Sequence, residues 1–189
     1  MEYFAFQWHI TEACDQRCRH CYIYALGSHA KFQEMALEDM VTVLENCKTF
    51  CQKAGRLPYF YITGGDPILH PQFWALMKLL KLSNIPFALM GNPFHLTADV
   101  CRRLKDCGCR KYQLSLDGLR ETHDGIRQQP GSYDATMAAI PLLRQAGIDV
   151  RQTPDEDVAA VLVGFDTELR YQKVEDACRL LFRGADFLA

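Results

Sequence analysis

No apolar run in this sequence approaches the roughly 20 residues that a membrane-spanning helix requires. The N-terminus, Met1-Glu-Tyr-Phe-Ala-Phe-Gln-Trp-His9, has no basic stretch followed by an apolar one. No signal peptide is therefore visible, and cytoplasmic residence is the expectation. An excess of charge of one sign is also missing, since 21 Lys and Arg stand against 23 Asp and Glu. A net charge of −2 leaves no footprint for nucleic acid and no polybasic patch for a lipid surface. Neither a nucleic acid nor a membrane is expected as a partner. What remains is an ordinary globular composition, 49% hydrophobic, in a chain of 189 residues, enough for one sizeable core.

Cysteine is the residue in excess. The nine are Cys14, Cys18, Cys21, Cys47, Cys51, Cys101, Cys107, Cys109 and Cys178. An odd count without a secretion signal argues against a disulfide framework. Cys47, Cys51 and Cys101 fall in helix-patterned segments and read as small apolar core residues. Cys107 and Cys109 flank Gly108 in a turn, with no second pair nearby to complete a metal site. Cys14, Cys18 and Cys21 are different. Their C-x3-C-x2-C spacing follows an apolar run directly, and three thiolates can hold three corners of a cubane [4Fe–4S] cluster. Electron carriers usually close such a cluster with a fourth cysteine, so a site one ligand short suggests chemistry at the free iron.

The chain alternates strand-like and helix-like segments. Strands are predicted over Tyr3–Thr11, Tyr59–Thr63, Phe87–Met90 and Lys111–Leu116. Helices are predicted over Leu37–Ala54, Pro71–Leu82, Ala98–Cys107 behind a Thr97 cap, and Ser132–Ala146. Ile148-Asp-Val150 starts a fifth strand. Repeated β-α units imply an α/β fold with a parallel sheet, open or curved into a barrel, whose function gathers at the C-terminal strand ends. All the unusual local sequence lies there: Cys14–Cys21, Gly64-Gly-Asp-Pro67, Gly91-Asn-Pro93 and Ser115-Leu-Asp-Gly118. After Val150 a polar stretch leads to strand Val158–Phe165, helix Tyr171–Phe182 and strand Ala185–Ala189, an extra β-α-β unit. The domain division is therefore 1–150 and 151–189.

With these motifs in place, residues 3 to about 150 resemble the N-terminal part of a radical S-adenosylmethionine (SAM) enzyme. The resemblance rests on the cysteine triplet with His20 before its last member, followed by Gly-Gly-Asp-Pro after the second strand. It implies a partial (β/α) barrel, a [4Fe–4S] cluster on Cys14, Cys18 and Cys21, and SAM chelated to the fourth iron. It further implies that Gly64, Gly65, Asp66 and Pro67 bind the SAM amino group and that Ser115 meets its carboxylate or ribose. Asn92 would approach the ribose, Asp117 would organise its loop, and Arg127 would pair with the SAM carboxylate. The plain readings are a strand-end turn for Gly64–Pro67, a helix-entry cap for Asp66 and a solvated charge for Arg127. His95 and His123 read as isolated surface or capping residues.

The implied reaction is reductive cleavage of SAM to a 5′-deoxyadenosyl radical that abstracts hydrogen, with no catalytic residue beyond the cluster and SAM site. The Phe6-Gln-Trp-His-Ile-Thr-Glu, Ser-Leu-Asp-Gly-Leu and His123-Asp-Gly-Ile-Arg127 segments most resemble maturases of ribosomally made peptides. A peptide or protein substrate and a one-electron donor such as a flavodoxin or ferredoxin follow as implied partners. Those relatives continue into a domain with cysteine-bound auxiliary clusters, which is not expected here. The resemblance covers about four of six β-α units. Residues 153–189 instead resemble a cap-domain segment of haloacid-dehalogenase-type phosphatases, without the Asp-x-Asp nucleophile loop. The competing functions are a non-catalytic iron–sulfur fragment and, more remotely, a phosphatase remnant.

Overall fold

Four apolar, aromatic-rich segments become the four strands of one parallel sheet: β1 (Tyr3–Thr11), β2 (Leu57–Gly64), β3 (Phe87–Met90) and β4 (Cys109–Gln113). Their order is β1-β2-β3-β4, so each neighbour in sequence is a neighbour in space. A computed structural model describes residues 2–25 and 34–150 and, beyond these, 160–162, 176, 178–179, 183 and 186–188. The chain divides into two compact units, Met1–Val150 and Arg151–Ala189.

In the first unit the crossovers are α2 (Leu37–Lys53), α3 (Phe73–Leu82) and α4 (Ala98–Asp106), preceded by a short α1 (Tyr22–Ala25) and followed by α5 (Arg120–Arg127) and α6 (Ser132–Gln145). Local chemistry sets their limits. Thr97 caps α4 by accepting the Val100 N–H at 3.2 Å, as its sequence predicts. Gly55, at φ +64°, ends α2 in the left-handed region that glycine enters freely, and the Arg56 N–H closes on the Cys51 carbonyl at 2.9 Å. Between the layers, Phe60, Ile62, Phe87 and Leu89 from the strands meet Leu76, Met77 and Leu104 from the helices, all essentially inaccessible. Cys51 and Cys101 are buried in this layer as small apolar residues; Cys47 is half-buried against it.

Several expected boundaries shift, each for a visible reason. β4 stops at Gln113 rather than Leu116, because its partner β3 ends opposite it at Met90 and turns away toward Pro93. Ser115 therefore stands beyond the strand. α3 begins at Phe73 rather than Pro71, since a 3-10 turn over Pro67–Leu69 comes first. The fifth strand is reduced to a parallel bridge between Lys111 and Asp149. α5 has no counterpart among the predicted helices. It is polar nearly all round, and among its residues the buried one is a histidine, His123.

In the second unit β5 (Ala160–Leu162) and β6 (Asp186–Leu188) pair in parallel, and residues 176, 178 and 179 are helical. The remaining parts of the predicted 158–165, 171–182 and 185–189 elements lie outside the described residues.

The end of β2 is where sheet and loop meet most closely. The register of β1 on β2 slips between His9 and Thr11, and Thr11 pairs with Gly64. A Cβ on Gly64 would stand 2.2 Å from the Thr11 carbonyl oxygen, and one on Gly65 2.3 Å from that of Ala13. Gly64→Ala should accordingly destabilise the fold by about 3 kcal/mol or more. Gly125→Ala, on α5 with open space around it, should be neutral or mildly stabilising. Urea unfolding of the metal-free protein measures both, and equal stability of the two variants would contradict the close-contact assignment.

Candidate metal and cofactor site

The loop after β1 carries the three cysteines across the C-terminal end of the sheet. It is pinned from several directions. Gly65 and Asp66 donate their N–H groups to the carbonyls of Thr11 and Ala13 at 2.8 and 2.7 Å. Arg17 reaches back to the Cys14 and Gln16 carbonyls at 2.6 and 2.8 Å and lies over the Tyr24 ring. The Arg19 N–H donates to the Ile126 carbonyl on α5 at 2.8 Å. Cys21 N–H closes a tight turn onto the Cys18 carbonyl at 3.1 Å and leads into α1.

Cys14, Cys18 and Cys21 all face one cavity of about 250 Å3, which Gly64, Gly65, Asn92, Ser115 and Arg127 also line. The thiols are half-buried and free. Among the described residues the one group of three whose ligand atoms lie within 4.8 Å of one another is Asp15, Asp66 and His95. The three sulfurs are thus more widely spaced than a single tetrahedral ion would bring its thiolates, about 3.8 Å from a metal–sulfur bond near 2.3 Å. A multinuclear cluster fits this donor set. Burial pushes the Cys14 thiol up, while the Gln16 N–H, 3.4 Å from its sulfur, works in the other direction and favours the thiolate.

The two glycines serve a purpose the sequence did not reveal. The β1 loop approaches their backbone closely, and both also line the cavity. Asp66 lies under this turn with no accessible surface. It accepts the Ile68 N–H at 3.4 Å as a cap of the 3-10 turn, its other carboxyl oxygen has no hydrogen-bond partner, and burial raises its pKa to about 7. Pro67 is buried as the first residue of that turn. Asp66, Pro67 and Asp117 do not line the cavity. Asn92 is also committed elsewhere. Its amide donates to Asp15 at 2.5 Å and its oxygen accepts the Phe94 N–H, so it braces the cysteine loop. Ser115 is exposed at the cavity wall.

Arg127 is not a solvated charge: it lines the cavity and is held there by Asp117. Its Nε and Nη2 donate to Asp117 at 2.5 and 2.9 Å, and its Nη1 lies 3.5 Å from the Cys18 sulfur. Burial works against its charge, yet the Asp117 carboxylate holds the guanidinium pKa above its ordinary value. The expectation of an isolated His123 is corrected as well. His123 is buried, accepts the Asp117 N–H at Nδ1 (3.2 Å), and so presents Nε2–H to Ser132 Oγ at 3.1 Å. Ser132 Oγ in turn accepts from Gln16 of the cysteine loop at 2.8 Å. Burial lowers the His123 pKa, which keeps the ring neutral. His95 sits 2.9 Å from Asp15, likewise not isolated. Gln16 and Ser132 carry no motif of their own, and a polar residue brought to a site by tertiary contacts leaves no periodic trace.

The Asp66 carboxyl titrates near 7 in the fold and near 3.8 when unfolded. Across that window the native state holds the extra proton, so stability falls as pH rises from about 4 to 7. Asp66→Asn should remove this slope and leave the metal-free protein a few kcal/mol more stable than wild type at pH 8. Denaturant midpoints at pH 5 and pH 8 check it; parallel profiles for the two proteins would contradict the burial of a titrating carboxyl.

Comparison with known proteins agrees with this geometry. The model of the radical SAM superfamily matches residues 8–181, so the match runs on into the tail that resembled a phosphatase cap segment. The AdoMet-dependent heme synthase of Methanosarcina barkeri is 26% identical over 74% of this chain and 38% of its own length. The mycofactocin maturase MftC of Mycolicibacterium smegmatis is 27% identical over 95% of this chain and 45% of its own length. The chain thus spans less than half the length of these relatives. Methylornithine synthase PylB superposes with a TM-score of 0.65 at 17% identity, over 98% of this chain and 64% of that one. Streptococcus suis SuiB bound to its precursor peptide SuiA gives 0.63 at 14%, over 98% and 38%. The enzyme anSMEcpe with bound AdoMet gives 0.61 at 18%, over 78% and 42%. These likenesses show the fold: an α/β sheet of the radical SAM barrel type. No described helix is long and apolar enough to cross a membrane. This chain belongs to the radical SAM superfamily.

Proposed function

We propose that Cys14, Cys18 and Cys21 hold a [4Fe–4S] cluster and that SAM occupies the adjoining cavity, to start a radical reaction on a peptide. The observation that carries this reading is the convergence of the three thiols, the Gly64–Gly65 turn and Ser115 on one cavity at the C-terminal end of a parallel sheet. When bound, cluster and SAM together supply a one-electron reductive cleavage and a hydrogen-abstracting radical. The chain's own residues bind and orient. The N–H groups of Gly65 and Asp66 are turned to the β1 loop and hold the turn against it. Ser115 offers a hydroxyl in the cavity lining, and Met90 and Ile23 add apolar surface that limits water. Asp66, Pro67 and Asp117 shape the site from behind, and Asn92 lines the cavity while bracing the cysteine loop. Electrons would come from a small donor such as a flavodoxin or ferredoxin.

A peptide substrate is favoured over a porphyrin by identity at equal reach. Over the same 74% of this chain, MftC of Mycobacterium tuberculosis is 31% identical and the heme synthase 26%. The alternative for this chain is a fragment that binds the cluster without productive SAM cleavage.

Anaerobic reconstitution should load close to four irons per chain into wild type and Cys51→Ala, and almost none into Cys18→Ala. Equal iron in both variants would refute the ligand set. With dithionite and SAM, the loaded wild type should release 5′-deoxyadenosine; a fully loaded chain that releases none would leave the non-catalytic fragment as the reading.

A further inference from the structure

The guanidinium of Arg127 touches a sulfur that the proposed function makes a cluster ligand, and nothing in binding SAM requires that contact. Its placement is over-determined. Two of its nitrogens form a fork on Asp117, and Asp117 is fixed in turn by its N–H bond to buried His123. His123 rests on Ser132, and Ser132 receives Gln16 from the cysteine loop. The Arg19 N–H reaches Ile126, the residue before Arg127. A closed ring of hydrogen bonds therefore runs from the loop through α6 and α5 and back to the loop at Cys18. Only Nη1 is left over from the fork, and it lies 3.5 Å from the Cys18 sulfur. The pair is largely shielded, with the Arg127 side chain 13% and the Asp117 side chain 19% exposed. Water screens the contact weakly.

We propose that Arg127 is a positioning residue that sets the reduction potential of the cluster through a charge-assisted N–H···S bond to Cys18. This rests on the ligand set of the proposed function. An added electron makes the cluster and its thiolates more negative, and a cationic donor on one sulfur stabilises that reduced state more than the oxidised one. Hydrogen bonds to the sulfurs are among the levers that move such potentials. Arg127 on Cys18 is the guanidinium contact to a cysteine sulfur among the described side chains. The Cys14 sulfur has neutral donors instead, the Gln16 N–H and the Asn92 amide. The cluster is thus held asymmetrically, with its cationic partner at the middle cysteine.

The test is a dye-mediated redox titration of the reconstituted chain without SAM, read by electron paramagnetic resonance of the reduced cluster. Wild type, Arg127→Lys, Arg127→Gln and the exposed control Arg102→Gln are compared at equal iron content. Arg127→Gln should lower the potential by about 59 mV, a tenfold shift of a one-electron equilibrium. Arg127→Lys keeps the charge but loses the fork, and should fall between Gln and wild type. Arg102→Gln should match wild type. A Gln variant with full iron and an unchanged potential would overturn the proposal. So would variants that stay folded by circular dichroism but hold no cluster, since Arg127 would then act in assembly alone. Iron uptake by the wild type reports on the ligand set itself, so failure of that reading is seen separately.

Discussion

A backbone contact without room for a methyl group underlies the rest of this structure. Thr11 and Ala13 press their carbonyls onto Gly64 and Gly65 so closely that no side chain fits between them. The contact does three things at once. It absorbs the register slip between β1 and β2, it starts the loop that carries the cysteines, and it places that loop over the end of the sheet. Parallel strands expose unpaired amides at their ends, and here two of them are satisfied by the very loop they position. Fold and site share the same hydrogen bonds.

Polar groups are buried beneath the site rather than in the sheet core. Asp66, His123, Gln16, Ser132 and Asn92 are nearly inaccessible, and most of them are paired. Burying such groups is costly unless their bonds are made, so each link narrows the conformations open to the cysteine loop. Asp66 is the exception, with an unpartnered oxygen under the glycine turn. The strain of that carboxyl is stored next to the cavity, the place where a functional site tolerates it.

Much of this was legible in the residues. The apolar runs of β1 and β3 and the Thr97 cap follow from periodicity and local chemistry, and the structure keeps them. The cysteines and Gly64–Gly65 were legible because short-range spacing encodes them. What the sequence hid was tertiary in origin. α5 has no apolar stripe, for its inward face is one histidine in a hydrogen-bonded chain. Arg127 reads as a surface charge until Asp117, ten residues earlier, is seen to face it. Asn92 turns to Asp15, seventy-seven positions away, and no local pattern announces such a pair. That Gly64 also packs against the chain's own backbone at Thr11 was not legible from its motif.

The ring that anchors Cys18 also has a consequence in time. The cysteine loop ends at Cys21, whereas its anchors Asp117, His123, Arg127 and Ser132 come about a hundred residues later. A ribosome adding 5–20 residues per second needs on the order of 10 s to cover that gap. Throughout it the thiols emerge into the cell without the partners that hold them. The cluster site proposed above is therefore completed late in synthesis, because the loop acquires its fixed shape only when the distant end of the first unit has folded back onto its beginning.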